Sequence, residues 1–115
     1  MSNPSKFEGR SSDMKKDTPW LSSEDLDGLG DVSVEIQEVY RHQDVEFDAG
    51  RKEKFVYSLA FKGGKKQLVL NATNRHTLVT KFGVNVKEWS GKKVTLFVLD
   101  GVRLAGKLVK GIRIK

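Results

Sequence analysis

The chain has 115 residues, is 37% hydrophobic and 31% charged, and carries a net charge of +6, which predicts one small domain with a modest core. It has no cysteine, which excludes disulfides, thiol catalysis and thiolate metal sites and fits a reducing, cytoplasmic compartment. No apolar stretch approaches the roughly 18 residues of a membrane span, and the polar start MSNPSKFEGR is not typical of a secretory signal.

The charge is distributed unevenly along the chain. Residues 1–17 carry +1, residues 18–50 carry −8 and residues 51–115 carry +13, which together give the +6 of the whole chain. A basic block of this size within a folded region indicates a polyanionic partner. The alternative is a solvated surface that only keeps the protein soluble.

The first part of the chain lacks the periodicity of a folded element. Residues 1–17 mix Ser, Lys, Gly and Asp and predict a disordered extension, so the domain is expected to cover residues 18–115. At its start, Trp20 is expected to anchor the fold, and Ser22 or Ser23 to cap one short helical turn.

Alternation of apolar and polar residues predicts three strands before the first helix. DVSVEIQEVY alternates until its phase slips at Val39, which indicates a bulge. RHQDVEFDAGRKEK is expected to be a long loop, or an extension of both neighbouring strands as a hairpin. KFVYSLAF is the second strand, KGGKK is a tight turn, and QLVLN is the third strand.

The second strand has one face that is typical of a core. This face carries Phe55, Tyr57, Leu59 and Phe61. The pattern predicts core packing for Phe55 and Phe61, whereas Tyr57 is placed either in the core or at the rim with its hydroxyl outward.

The segment LVLNATNRHTLVTKFG changes from the two-residue period of a strand to the 3.6-residue period of a helix. A helix is predicted over about residues 73–82, with Asn71 or Thr73 as its cap and Asn74 bonded to a backbone group in the first turn. Gly83 is suited to end the helix. KKVTLFVLDGVRLA and KLVKGIRIK follow as the fourth and fifth strands.

The predicted order is β-β-β-α-β-β, with the helix between strands 3 and 4. This is the order of the OB fold, a mainly β, five-stranded Greek-key barrel whose strand 2–3 face and loops 1–2 and 4–5 bind oligonucleotides. A generic antiparallel roll with an unclosed sheet contains the same elements and is the alternative.

The sequence offers no catalytic or metal-binding constellation. His42 and His76 have no cysteine partners, and each is interpreted as a structural or surface histidine. The Gly-Lys pairs in GGKK and GKKVT lack the spacing of a phosphate-binding loop, and the acidic group around Asp25 lacks EF-hand spacing. The protein is therefore predicted to be non-enzymatic, without a cofactor or a metal.

Cationic and aromatic residues in the second half of the chain are the types that a single-stranded nucleic acid requires, because phosphates need positive charge and bases need flat rings. Phe97, opposite in phase to the apolar face of strand 4, is the first candidate for an outward stacking ring, followed by Tyr40 and Phe47. Trp20 and Trp89 are expected to be buried anchors. The candidate nucleic-acid-binding residues are Lys52, Lys54, Tyr57, Lys62, Lys65, Lys66, Arg75, Lys92, Lys93, Phe97, Arg103, Lys107, Lys110 and Arg113.

Three segments follow patterns found together elsewhere. LVLNATN (68–74), EWSGKKVTLFV (88–98) and GKLVKGIRIK (106–115) match L-x-L-N-x-T-N, W-x-G-K-x-V-x-L and G-K-x-V-x-x-I-R-I. With the lead-in LSSEDLDG, they resemble a family of short phage and prophage proteins over residues 20–115. The basic extension at residues 1–17 is not part of that pattern, and Arg75 and His76 stand where smaller residues are expected.

The resemblance implies a small OB-like protein of a mobile element that acts in replication or recombination in the host cytoplasm. The resemblance implies no particular activity, and the charged and aromatic residues of the chain lead to two hypotheses about its function. The first is sequence-tolerant binding of single-stranded DNA, with RNA as a further ligand. The second is a protein-interaction module that contacts a host or phage partner through its charged surfaces.

Overall fold

The computed structural model describes residues 4–9, 18–47, 50–104 and 106–115, of which 102–104 and 107 are described by their backbone alone. The helix of this part, α1 (Ala72–Phe82), lies between the third and fourth strands, and two 3₁₀ turns cover Ser23–Leu26 and Val86–Trp89. The five strands are β1 (Val32–Glu46), β2 (Lys52–Phe61), β3 (Leu68–Val69), β4 (Lys93–Leu104) and β5 (Lys107–Ile114). The predicted mainly β fold with the order β-β-β-α-β-β is confirmed.

Of the predicted disordered extension, the structure describes residues 4–9, which form neither helix nor strand. Residues 1–3 and 10–17 lie outside the described residues. The boundary of the domain at residue 18 therefore stays a prediction.

All five strands belong to one antiparallel sheet in the order β3-β2-β1-β4-β5. The central strand β1 has two partners, because its residues 32–35 pair with β4 and its residues 36–46 pair with β2. The register shifts between Ile36 and Glu38, next to the bulge predicted at Val39. A bulge bends a strand and increases its twist, so one long strand passes from one half of the sheet to the other.

The segment expected to be a long loop or a hairpin extension forms a hairpin. The ladder between β1 and β2 continues from Ile36 opposite Phe61 to Glu46 opposite Lys52. Beyond it, the Phe47 N–H donates to the carbonyl of Arg51 at 2.7 Å. The connection between the two strands is therefore short, and their paired ends extend beyond the core.

The core lies between the two halves of the sheet and α1. Its most deeply buried apolar residues are Ile36, Leu59, Leu78 and Leu96. Trp89 is also buried, and its indole N–H donates to the carbonyl of Gly83 at 3.0 Å, so the prediction that it is a buried anchor is confirmed.

The prediction of core packing holds for Phe61, which is 5% exposed, and is wrong for Phe55, which is 41% exposed. Both rings belong to the same face of β2, but the hairpin leaves the core between Leu59 and Tyr57. An alternating pattern identifies the face of a strand but not the residue at which that face reaches solvent.

The joint before α1 is formed by two asparagines. Asn71 caps the helix, since its side chain accepts the N–H of Asn74 at 2.8 Å. The Asn74 side chain is 1% exposed; its amide donates to the Ile112 carbonyl at 3.0 Å, and its oxygen accepts the Ile114 N–H at 3.2 Å. Asn74 thus attaches α1 to the edge of β5, and the prediction that it bonds to a backbone group in the first turn is wrong.

Helix α1 occupies the gap between the two ends of the sheet. Among the described residues β3 and β5 form no ladder, and Asn74 supplies the hydrogen bonds that a neighbouring strand would give to β5. This arrangement agrees with the partly open barrel of the OB fold. No helix in the described ranges is long and apolar enough to cross a membrane.

Candidate nucleic-acid interface

The structure distributes the candidate residues over three parts of the fold, with Arg75 exposed on α1. The β1–β2 hairpin carries Lys52, Lys54 and Tyr57. The two turns that flank the bulge of β1 carry Lys62, Lys65, Lys66, Lys92 and Lys93. The β4–β5 hairpin carries Phe97, Arg103, Lys107, Lys110 and Arg113.

Two exposed aromatic rings lie side by side on the β1–β2 hairpin. Phe55 is 41% exposed and Tyr57 49% exposed, and they share one face of β2 at a spacing of about 7 Å along the strand. Arg41 lies directly opposite Tyr57, and its guanidinium carbon is 5.2 Å from the centre of the Phe55 ring. The Lys54 ammonium is 5.7 Å from the same ring. We call Arg41, Lys54, Phe55 and Tyr57 the hairpin face.

The chemistry of the hairpin face is that of a stacking platform. A cation near an aromatic ring is attracted to the π-electrons, so positive charge stays beside exposed rings. Rings can stack on bases while the cations contact phosphates. The alternative is that these contacts only stabilise the protruding hairpin through cross-strand pairing.

The opposite face of the hairpin is covered by the N-terminal segment. The Gln67 N–H donates to the Pro19 carbonyl at 2.9 Å, and the Leu21 N–H donates to the Gln67 carbonyl at 2.7 Å. This pairing holds the half-buried Trp20 against His42, at 5.0 Å between ring centres in an edge-on arrangement, and at 6.0 Å from Phe47. Trp20 is therefore an anchor, as predicted, although it is only half-buried.

Tyr40 and Phe47, the second and third candidates for stacking, differ in exposure. Tyr40 is 46% exposed, with its ring centre 6.4 Å from that of His42. Phe47 is half-buried, with the Arg51 guanidinium carbon 4.5 Å from its ring centre and Trp20 beside it. Tyr40 thus offers more free ring surface than Phe47.

Beneath Trp20 lies a buried polar network that the sequence patterns do not indicate. The fully buried Ser58 hydroxyl donates to the Gln67 side-chain oxygen. The Nε2 of His42 lies 2.8 Å from the Ser58 oxygen and 3.2 Å from the Gln67 oxygen. With the Gln67 oxygen as acceptor, the tautomer that carries its proton on Nε2 is compatible with both contacts.

These contacts lie within the fold, and the Ser58 side chain is fully buried. His42 bonds within this network, and His76 is exposed on α1, which agrees with the prediction of structural or surface histidines. In the ranges that the structure covers, no three His, Cys, Asp or Glu side chains group closely enough to hold a metal ion.

Four exposed lysines flank the bulge of β1. The Lys62 N–H donates to the Glu35 carbonyl, the Lys92 carbonyl accepts the Ile36 N–H, and Lys93 is paired with Glu35 across the ladder. These contacts bring the turn before β3 and the turn before β4 to the same level of β1. We call the group the bulge lysines: Lys62, Lys65, Lys92 and Lys93.

Phe97 lies on the outer face of β4, as predicted. It is directly opposite Arg113, whereas the neighbouring pair Leu96 and Ile114 is buried in the core. The Phe97 ring is half-buried, and the Lys115 ammonium lies 5.4 Å from its centre. The side chains of Arg103 and Lys107 lie outside what the structure describes.

An acidic segment contacts three of the basic residues. We call residues 22–31 the acidic strap; it contains Glu24, Asp25, Asp27 and Asp31. Asp25 pairs with Lys66 at 3.1 Å, Asp27 with Lys110 at 4.0 Å, and Asp31 with Lys115 at 2.7 Å. Part of the negative charge of residues 18–50 therefore faces the basic half of the same chain.

Two contributors to these groups, Arg41 and Ser58, are not identified by the sequence patterns. Arg41 is the only basic residue between positions 18 and 50, but its place beside Phe55 depends on the register of the hairpin. Lys115 is one of the basic residues of the last hairpin in the sequence, but its position beside the Phe97 ring follows only from the structure. Ser58, a polar residue within an apolar strand, was the one available sign of the buried network.

Comparison with protein-family models, curated proteins and solved structures finds no match for this chain. The resemblance to short phage and prophage proteins therefore stays a prediction from the sequence.

Proposed function

We propose that this protein is non-enzymatic and binds single-stranded nucleic acid, DNA in the first place, with little preference for sequence. The observation that carries the proposal is the hairpin face, where two exposed rings lie beside two cations. Grouped exposed apolar side chains usually belong to an interaction surface, and a surface that also carries cations suits a ligand with flat, apolar faces and negative charge.

In the proposed mode of binding, bases stack on Phe55 and Tyr57 while Arg41 and Lys54 contact the adjoining phosphates. Every base has a π-face, so stacking tolerates any sequence. Lys52, the bulge lysines, Arg75 and Arg113 extend the positive potential that attracts the strand. The length bound is expected to lie within the 4–16 or so nucleotides typical of one OB fold.

The biological setting of the proposal comes from the sequence resemblance. We place the protein among the replication or recombination functions of a phage or prophage, acting in the cytoplasm of the host cell. A replication or recombination protein of the phage or the host would be its natural second partner on the same strand.

The proposal is tested by fluorescence anisotropy with a labelled oligothymidylate of about 16 nucleotides at about 50 and 200 mM salt. Wild-type protein is expected to bind, and its affinity to fall steeply as the salt concentration rises. Phe55→Ala and Tyr57→Ala are each expected to lose about 1–3 kcal/mol of binding free energy. Tyr40→Ala, an equally exposed ring on the other face of the hairpin, serves as the matched control.

Two results would contradict the proposal. Undetectable binding at low salt would show that the protein does not bind single-stranded nucleic acid. Binding that persists unchanged in Phe55→Ala and Tyr57→Ala but is lost in Tyr40→Ala moves the platform to the opposite face of the hairpin.

A protein-interaction module is the second candidate function. It is favoured by Leu99 and Leu108 on the β4–β5 hairpin, which are 43% and 70% exposed. Capture of one phage or host protein that survives nuclease treatment and is lost in Leu108→Ser supports this second function. Capture that disappears with nuclease supports binding through nucleic acid.

A further inference from the structure

We infer that the acidic strap limits how many phosphates the β4–β5 hairpin can contact, because it holds Lys110 and Lys115 in ion pairs within the chain. This inference rests on the proposed function and concerns what the β4–β5 hairpin adds to the affinity for the same nucleic-acid strand. Its basis is the contrast between the two halves of the strap, one anchored in the fold and one exposed.

The first half of the strap is fixed by burial and hydrogen bonds. Leu26 is 6% exposed and belongs to the hydrophobic core. The Asp25 carboxylate accepts the Ser22 N–H at 2.8 Å and the Lys66 ammonium at 3.1 Å. The side chains of Lys66 and Asp25 are 26% and 22% exposed, so this ion pair is integrated into the structure.

The second half of the strap presents two exposed carboxylates to β5. Asp27 lies 4.0 Å from Lys110 and Asp31 lies 2.7 Å from Lys115, and each of these four side chains is more than half exposed. Exposed ion pairs contribute little to the stability of a fold. Their removal is therefore expected to leave the protein folded while releasing two cations.

Once free of these ion pairs, the two lysines would be available to contact the phosphates of a nucleic-acid strand. Lys115 lies beside the Phe97 ring, and Arg113 is opposite that ring on the same face of the hairpin. While Asp31 holds Lys115, a phosphate at this position meets a carboxylate as well as an ammonium. The strap therefore acts as an internal substitute for phosphate at Lys110 and Lys115.

The test compares Asp27→Asn/Asp31→Asn with wild type in the same anisotropy assay over a range of salt concentrations. Each phosphate contact adds about −0.7 to the slope of log affinity against log salt for a single strand. Two added contacts make the affinity of the variant fall about sevenfold more than that of wild type between about 50 and 200 mM salt. The variant also binds more tightly than wild type at the lower concentration.

The matched control is Glu24→Gln/Glu88→Gln, which changes the net charge equally. Both carboxylates are exposed, and neither forms an ion pair among the described residues. The inference predicts the wild-type salt slope for this control. If thermal unfolding indicates that the double variant is unfolded, Asp31→Asn alone is tested in its place. This single variant is expected to give about half of the change in slope.

The outcomes separate the inference from the proposed function. If wild type binds and the two double variants change equally, net charge explains the effect and the inference is overturned. The same holds if Asp27→Asn/Asp31→Asn keeps the wild-type slope. If wild type does not bind at low salt, the proposed function fails and the inference fails with it.

Discussion

Asn74 connects two elements that lie far apart in the sequence. Its side chain bonds to both a carbonyl and an N–H of β5, at Ile112 and Ile114, and is almost completely buried. An amide carries one donor group and one acceptor group, so it can satisfy the two backbone groups together. Asn71, three residues earlier, has the local role of capping α1.

These roles predict different costs for two similar substitutions. Asn71→Ala removes a cap and should lower the free energy of unfolding by about 1 kcal/mol. Asn74→Ala leaves a buried carbonyl and a buried N–H without partners and should cost about 2–4 kcal/mol. Urea unfolding measures both values, and equal losses would contradict the role given to Asn74. The affinity of each folded variant for oligothymidylate should stay close to that of wild type.

The segment before β1 behaves as an additional short strand. It pairs with Gln67 through two backbone hydrogen bonds, and Trp20 covers the network of His42, Ser58 and Gln67. Through its ring contact with His42, Trp20 is linked to Ser58, which lies 38 positions later in the chain.

Trp20→Ala is expected to release this segment without unfolding the sheet. The loss in the free energy of unfolding should be about 2 kcal/mol, less than the ~3–5 kcal/mol of a fully buried ring. In hydrogen exchange, the Gln67 amide, which bonds to Pro19, should lose its protection, while the Lys62 amide, which bonds to Glu35, should keep it.

The core variant Trp89→Ala is the control for this prediction. Trp89 is 3% exposed, so its removal should lower protection throughout the sheet. If Trp20→Ala has the same general effect, the segment is part of the cooperative core. If Gln67 stays protected in Trp20→Ala, Trp20 does not hold the segment.

Local patterns predicted the elements but not the contacts between them. The order of strands and the capped start of α1 follow from periods of two and 3.6 residues and from residues with strong positional preferences. Phe55 was misplaced because alternation does not encode how far a hairpin extends beyond the core. The pairing of Lys66 with Asp25 joins residues 41 positions apart, and no local pattern specifies such a contact.

Net charge alone would attract any polyanion to this protein. A chain with +13 in residues 51–115 is expected to bind duplex and single-stranded DNA to some extent through phosphates. The hairpin face adds a stacking contribution to the free energy of binding. Only unpaired bases can make this contribution, because the bases of a duplex are already stacked on one another. The ratio of the two affinities therefore separates stacking from simple charge attraction.

Wild-type protein is accordingly expected to bind a single strand at least about tenfold more tightly than a duplex of the same length, since two stacking contacts contribute about 1–3 kcal/mol each. Phe55→Ala/Tyr57→Ala should reduce this ratio to near one while keeping salt-dependent binding to both ligands. Tyr40→Ala should preserve the ratio. Competition anisotropy at one salt concentration measures the ratio of single-strand to duplex affinity for all three proteins. A wild-type ratio near one would mean that the basic surface binds DNA without the two rings, and the hairpin face would then have only a structural role.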